Sequence, residues 1–110
     1  MARFIALELA ASLYKECEEL NLKNPIKDQL LRASLSIALN LGEGSGRRSL
    51  KDQKRFYFIA LGSTREAQVL VKIINHKELI KKYDRLGALV YGLSHKSDRL
   101  SSEKLKDNLI

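Results

Sequence analysis

The sequence predicts an all-α protein built as an antiparallel up-and-down four-helix bundle, and three observations carry that prediction. One proline, six glycines and no tryptophan, with leucine spread throughout, leave too few turn-formers for a sandwich or barrel. Four stretches repeat apolar residues at spacings of three and four, the period of a helix with one face in a core. Short boundary signals separate them: Asn24-Pro25, the glycines and serines of residues 44–49, and Asn75-His76-Lys77. At 110 residues the chain reads as one domain, 1–110, large enough to form a core without disulfides or metal.

Helix one is expected over residues 2–20, with Phe4, Leu9, Leu13, Cys17 and Leu20 inward and Glu8, Glu16, Glu18 and Glu19 outward. Residues 1–23 hold three Lys/Arg and four Glu, a net −1, so this is the acidic part of the chain. Asn24 is expected to cap helix two and Pro25 to take its first position, because proline's missing N–H costs nothing there. Ile26, Leu30, Ala33, Ile37 and Leu41 then form one stripe, and Leu31, Leu35, Ala38 and Leu39 lie roughly opposite. A helix that is apolar on two sides, with Arg32 its only charge between Gln29 and Leu41, needs cover on both, and another subunit is the natural source.

Along one edge of that helix Arg32, Ser36, Asn40 and Glu43 are spaced to form a polar seam. Glu43 sits near a helix C-terminus, where the macrodipole disfavours a negative charge, so Arg47 is expected beside it. Gly44 and Gly46 are expected to adopt left-handed conformations that end the helix. Ser49 opens helix three as its N-cap, with Asp52 as capping-box partner.

From Gly44 to Arg55 the charge rises sharply, with Arg47, Arg48, Lys51, Lys54 and Arg55 against Asp52, a net +4 in twelve residues. Backbone N–H groups at the start of helix three add positive potential beside them, a sensible setting for phosphate. Two plainer readings compete: Arg47 taken up by Glu43, and the remaining cations a solvated first turn or subunit-interface partners of the acidic helix one.

Helix three is expected over residues 50–75. Phe56, Ala60, Ser63, Ala67, Leu70 and Ile74 give a bundle seam, and Ala60, Gly62, Ser63 and Ala67 are small enough for close helix approach. Tyr57, Phe58, Leu61 and Val69 form a second apolar patch, again more than a lone bundle covers. Glu66, beside the core, needs a cation, and Arg32 or Arg65 can supply it. Helix four carries Leu79, Tyr83, Leu86, Val90, Leu93 and Leu100 at bundle spacing, with Gly87 and Gly92 expected to permit close packing. Lys77, Lys81, Lys82 and Arg85 would make a second basic patch, and residues 101–110 lose periodicity and are expected to fray.

The pattern Arg32-Ala33-Ser34-x-Ser36-Ile37-x-x-Asn40-x-x-Glu43-Gly44-x-Gly46-Arg47-x-Ser49, followed by Phe56, Ala60, Gly62, Ser63 and Glu66, carries a resemblance. It is similar to the bacterial four-helix-bundle proteins encoded in intervening sequences of 23S ribosomal RNA genes. A related branch comprises accessory proteins of diversity-generating retroelement reverse transcriptases. Gly42 departs from the pattern, which has alanine before the glutamate; small replaces small. The resemblance implies an up-and-down bundle commonly assembled as a homopentamer, a basic surface, association with structured nucleic acid, and no catalytic residues.

Other chemistry finds no footing in the pattern. His76 and His95 stand nineteen residues apart with no metal-ligand spacing around them. Gly42-x-Gly44-x-Gly46 lacks the strand and spacing of a phosphate loop, and no serine is patterned with a histidine. The lone Cys17 continues the apolar series of helix one and fits a reducing compartment. Tyr57 and Tyr83 have the chemistry to stack on bases, though their helical spacing suits core or interface. No apolar run is long enough to span a membrane and no secretory leader is visible, so a cytoplasmic location is expected.

A net charge of +7 and pI near 9.7 point to a polyanionic partner. The sequence therefore predicts a non-enzymatic, cofactor-free, basic oligomer that meets RNA or DNA phosphates through Arg47, Arg48, Lys51, Lys54 and Arg55, with Lys81, Lys82 and Arg85 as a second patch. Phosphate contacts do not read the 2′-hydroxyl, so RNA and DNA are not distinguished. Two rivals stand beside this reading: an accessory module that docks a nucleic-acid enzyme such as a reverse transcriptase, and a purely structural oligomer.

Overall fold

The computed structural model describes the backbone of residues 1–109 and the side chains of residues 1–95. Four helices, α1 (Ala2–Glu18), α2 (Ile26–Ser45), α3 (Leu50–Ile73) and α4 (Lys77–Leu109), follow one another with short connections. Each packs on two neighbours, α1 on α2 and α4, α3 on α2 and α4, which closes an up-and-down four-helix bundle. The expectations for Leu100 and for the side chains of residues 101–110 fall outside the described residues.

The core takes one stripe from each helix: Ala6, Ala10, Leu13 and Cys17 from α1; Leu30, Ala33, Ile37 and Leu41 from α2; Tyr57, Ala60, Ala67, Leu70 and Val71 from α3; Leu79, Tyr83, Leu86, Val90 and Leu93 from α4. On α1 small alanines do what larger residues were expected to do. Phe4 is 60 % exposed, and Leu9 and Leu20 pack only on the margin, because the stripe through Leu13 and Cys17 continues to Ala10 and Ala6. The helix also ends at Glu18, earlier than expected.

Its C-terminal carbonyls are met by the next helix. The Lys27 ammonium donates to the Glu18 and Leu20 carbonyls at 3.2 and 2.9 Å, placing a cation at the negative end of the α1 dipole. The expected Asn24 cap is not formed. Pro25 itself holds the N-cap position of α2, after a cis Asn24–Pro25 peptide, and no side chain caps there.

The glycine turn also differs from expectation. Neither Gly44 nor Gly46 has positive φ; α2 runs on through Ser45, and Gly46 ends it in a right-handed conformation. Gly44 is needed for space. A Cβ built there would lie 2.6 Å from Cε1 of Tyr57, so the aromatic ring sits against the bare α2 backbone. That contact also explains the stripe on α3, where the core runs through Tyr57, Ala60, Thr64, Ala67 and Val71 while Phe56, Ser63 and Ile74 are only partly buried. Tyr57, expected in the second apolar patch, belongs to the core.

α3 stops at Ile73, two residues before its expected end. Asn75 takes φ of 55°, and His76 accepts the Leu79 N–H through Nδ1 at 3.2 Å at the start of α4. Gly87 permits close packing as expected, lying under Gln68, whereas Gly62 and Gly92 face open space within this chain.

Candidate nucleic-acid interface

The residues of interest are brought to one end of the bundle by a polar seam between α2 and α3. Arg32 pairs with Glu66; the Ser36 and Ser63 hydroxyls bond at 2.8 Å; and Asn40 Nδ2 donates to the Ser36 carbonyl at 2.8 Å. At its far end Glu43 accepts from Arg47 at 3.1 Å. The six residues singled out for this seam thus form successive links along the two helices. The register they set places the end of α2 beside the start of α3, where the basic segment begins.

That segment is held locally as well. Ser49 Oγ accepts the Asp52 N–H at 3.1 Å, and Gln53 Nε2 donates to the Arg47 carbonyl at 2.8 Å, fixing the turn against the first helical residues. The guanidinium carbons of Arg47 and Arg55 each lie 4.8 Å from the centre of the Phe56 ring. Lys54 Nζ lies 5.6 Å from the centre of Phe58. Arg48, Lys51 and Arg55 are exposed. Five cations therefore share one surface, and two of them, Arg47 and Arg55, lie against an aromatic ring that draws cations electrostatically.

Arg47 is shared between Glu43 and Phe56, so its charge is partly balanced within the chain. The second basic group is weaker and sits elsewhere. Lys81 and Arg85 are exposed at the start of α4, near the opposite end of the bundle. Lys82, between them, donates to Glu16 Oε1 at 2.8 Å, and that carboxylate holds its pKa above the ordinary lysine value. The ammonium is already engaged in joining α4 to α1.

Two tyrosines considered for base stacking are not available for it: Tyr57 and Tyr83 are both buried. Tyr83 instead anchors a polar cluster in the core, its hydroxyl meeting Ser34 Oγ and, at 3.2 Å, Cys17 Sγ. Burial pushes both the Tyr83 hydroxyl and the Cys17 thiol above their usual pKa values, so both are protonated at neutral pH. Cys17 is a core residue, with none of the electropositive exposure of a reactive thiol.

The aromatics that do reach the surface are others. Phe58 is 40 % and Tyr91 49 % exposed; the Tyr91 and His95 rings stack with centroids 3.9 Å apart, and Phe58 meets His95 edge-on at 5.5 Å. The available sequence signals were Tyr91 four residues before His95, and Lys54 four before Phe58, pairs that share a helix face. Among the described residues no group of His, Cys, Asp or Glu is arranged to hold a metal ion, and no helix is long and apolar enough to cross a membrane.

Two comparisons bear on this arrangement. A solved structure of a protein with unknown function from the S23 ribosomal protein family of Bacteroides thetaiotaomicron VPI-5482 superposes with a TM-score of 0.59. It is 21 % identical, and the match covers 91 % of this chain and 97 % of that one, a likeness of fold. No curated protein matches the sequence. The family model for the 23S rRNA-intervening sequence protein matches residues 3–97. With nearly the whole bundle inside that match, the chain belongs to the 23S rRNA-intervening sequence protein family.

Proposed function

We propose that this protein is a non-catalytic module that binds structured nucleic acid, RNA above all, through phosphate contacts from the start of α3. The observation that carries the reading is the shared surface of Arg47, Arg48, Lys51, Lys54 and Arg55, in which two guanidinium groups lie against Phe56. Guanidinium forks match phosphate oxygens and keep their charge at any accessible pH. Binding would release counterions from the nucleic acid, making affinity steeply salt-dependent and largely indifferent to sequence. Membership of a family whose genes interrupt 23S ribosomal RNA favours an RNA partner.

A second feature favours assembly into a ring, with a homopentamer as the expected form. Leu35 and Leu39 on α2, and Ile59, Val69 and Ile73 on α3, are exposed, and a Cβ at Gly42 or Gly62 would meet nothing within 4 Å. Two adjacent helices thus present apolar surface and bare backbone outward, which a neighbouring subunit would cover. Repetition of the basic end around a ring would raise avidity without any new contact. Docking of an enzyme such as a reverse transcriptase onto these faces is the rival use of the same surface.

The test is a titration against structured ribosomal RNA, duplex DNA and single strands over a salt series, with wild type and an R48E/K51E/R55E variant. Wild type should lose affinity steeply as salt rises. The variant should lose binding, and any residual salt slope should be shallower by about one per phosphate contact removed. Unchanged affinity in the variant would remove this site. Light scattering at micromolar concentration should find an oligomer, and a monomer would remove the ring.

A further inference from the structure

We infer that the exposed Tyr91 ring, backed by His95 and Phe58, forms a stacking platform for an unpaired nucleobase, placed beside the basic surface so that one strand can engage both. The inference rests on the nucleic-acid reading above and sharpens it from phosphate contact alone to recognition of unpaired segments.

Three aromatic rings, from two helices, meet at the surface here. Tyr91 and His95 lie one turn apart on α4 with planes inclined by 24°, a nearly parallel stack, and Phe58 on α3 closes it edge-on at 66°. The His95 ring is held at one nitrogen: Nδ1 lies 2.9 Å from the Tyr91 carbonyl, within hydrogen-bond reach. Ser94 Oγ, 3.0 Å from the same nitrogen, also donates to that carbonyl at 2.9 Å. With one face on His95 and half of its surface exposed, Tyr91 keeps its outer face for a base, and its neighbours hold it without the entropy cost of ordering it on binding.

A merely apolar patch would be served as well by leucine or isoleucine, and the other exposed apolar residues of α2 and α3 are mostly of that kind. Here the apolar surface offers the face of a ring and is bordered by cations. Lys54 lies over Phe58, and Lys51 and Arg55 occupy the same helical turns of α3. A base has a π face whatever its identity, and its phosphate lies one sugar away, so rings beside lysines and arginines match a nucleotide in both halves. In an intact duplex the base faces are covered by their neighbours, so the occupant is a loop, bulge or single strand.

The experiment compares a stem-loop RNA with a blunt RNA duplex carrying the same number of phosphates, at one salt concentration, using wild type, Tyr91→Leu and Tyr91→Phe. Wild type is expected to bind the stem-loop about tenfold more tightly than the duplex. Tyr91→Leu, which keeps apolar area but removes the plane, should erase that preference and leave duplex affinity intact, and Tyr91→Phe should retain it. His95→Leu provides a second variant should Tyr91→Leu fail to fold by circular dichroism. Equal binding of both RNAs by wild type, or a stem-loop preference that survives loss of the rings, would overturn the platform while leaving phosphate binding standing. Failure to bind either RNA would overturn both.

Discussion

The two tyrosines of α4, two turns apart, show how differently this bundle treats the same side chain. Tyr83 is fully buried, its hydroxyl satisfied by Ser34 and Cys17 and its backbone carbonyl taken by Gln68 at 3.2 Å. Tyr91 is half exposed, stacked on His95 and beside Phe58 and the cations of α3. Near Tyr83 several polar groups close on others of the same chain: Lys82 on Glu16, Gln68 on Asp84, Arg65 on Gln68. Around Tyr91 the charges and rings face outward. Toward Tyr83 the side chains tie the helices together, whereas toward Tyr91 rings and cations stay at the surface.

The sharpest way to break this comparison is to delete both rings. Tyr83→Ala should cost about 3–5 kcal/mol, the usual cost of emptying a large aromatic site in a core, and it also strands the Ser34 hydroxyl. Tyr91→Ala should cost less than about 1 kcal/mol, since a surface side chain leaves no cavity. Urea denaturation of each variant reads both numbers, with protein concentration held constant because any self-association stabilises the folded state by mass action. Comparable losses would mean that the Tyr91 region also holds the fold together, and the division between the two regions would fail.

What could be read from the sequence follows the range over which each interaction acts. The Glu43–Arg47 pair and the Ser49 cap are local, one turn apart, and helix geometry alone specifies them. The Arg32–Glu66 pair crosses helices, yet a half-buried carboxylate beside the core demands a cation, and few were within reach. The stripe on α3 was harder. Phe56 and Tyr57 begin two apolar series that share Ala60, Ala67 and Leu70, and a period of 3.6 does not choose between them. The choice is made across the interface, by room for the Tyr57 ring over Gly44.

The left-handed glycines were misjudged for a related reason. Glycine is admitted both by positive φ and by close approach, and the sequence does not say which is needed. The platform was the least legible feature, because Phe58 and His95 lie far apart in the chain and meet only once α3 and α4 have packed. The basic segment, by contrast, is visible as composition alone. Its organisation by Phe56 is not, since a ring flanked by arginines reads equally well as a core position.

Gly44 lies on the border between the two regimes and allows the comparison to be refined. Both Gly42 and Gly44 are helical residues of α2 with negative φ, so replacement by alanine should gain up to about 1 kcal/mol of helix propensity at either, in the absence of contacts. At Gly42 nothing of this chain stands within 4 Å, and Gly42→Ala should be neutral or stabilising for the bundle itself. At Gly44 the new methyl would meet Tyr57 at 2.6 and 2.9 Å and the Phe56 Cβ at 3.3 Å, and overpacking of this kind costs about 1–3 kcal/mol. The signs should therefore be opposite two residues apart. In a Tyr57→Ala background, itself destabilised by loss of a core ring, Gly44→Ala should cost little more, because the atoms that clash are gone, and the coupling between the two changes measures the clash itself. A destabilised Gly44→Ala variant should also bind nucleic acid less well than Gly42→Ala. Displacing Tyr57 moves Phe56, and with it the ring on which Arg47 and Arg55 rest. Equal effects at the two glycines would show that the ring does not depend on bare backbone at Gly44, and that the core and the basic surface are set independently.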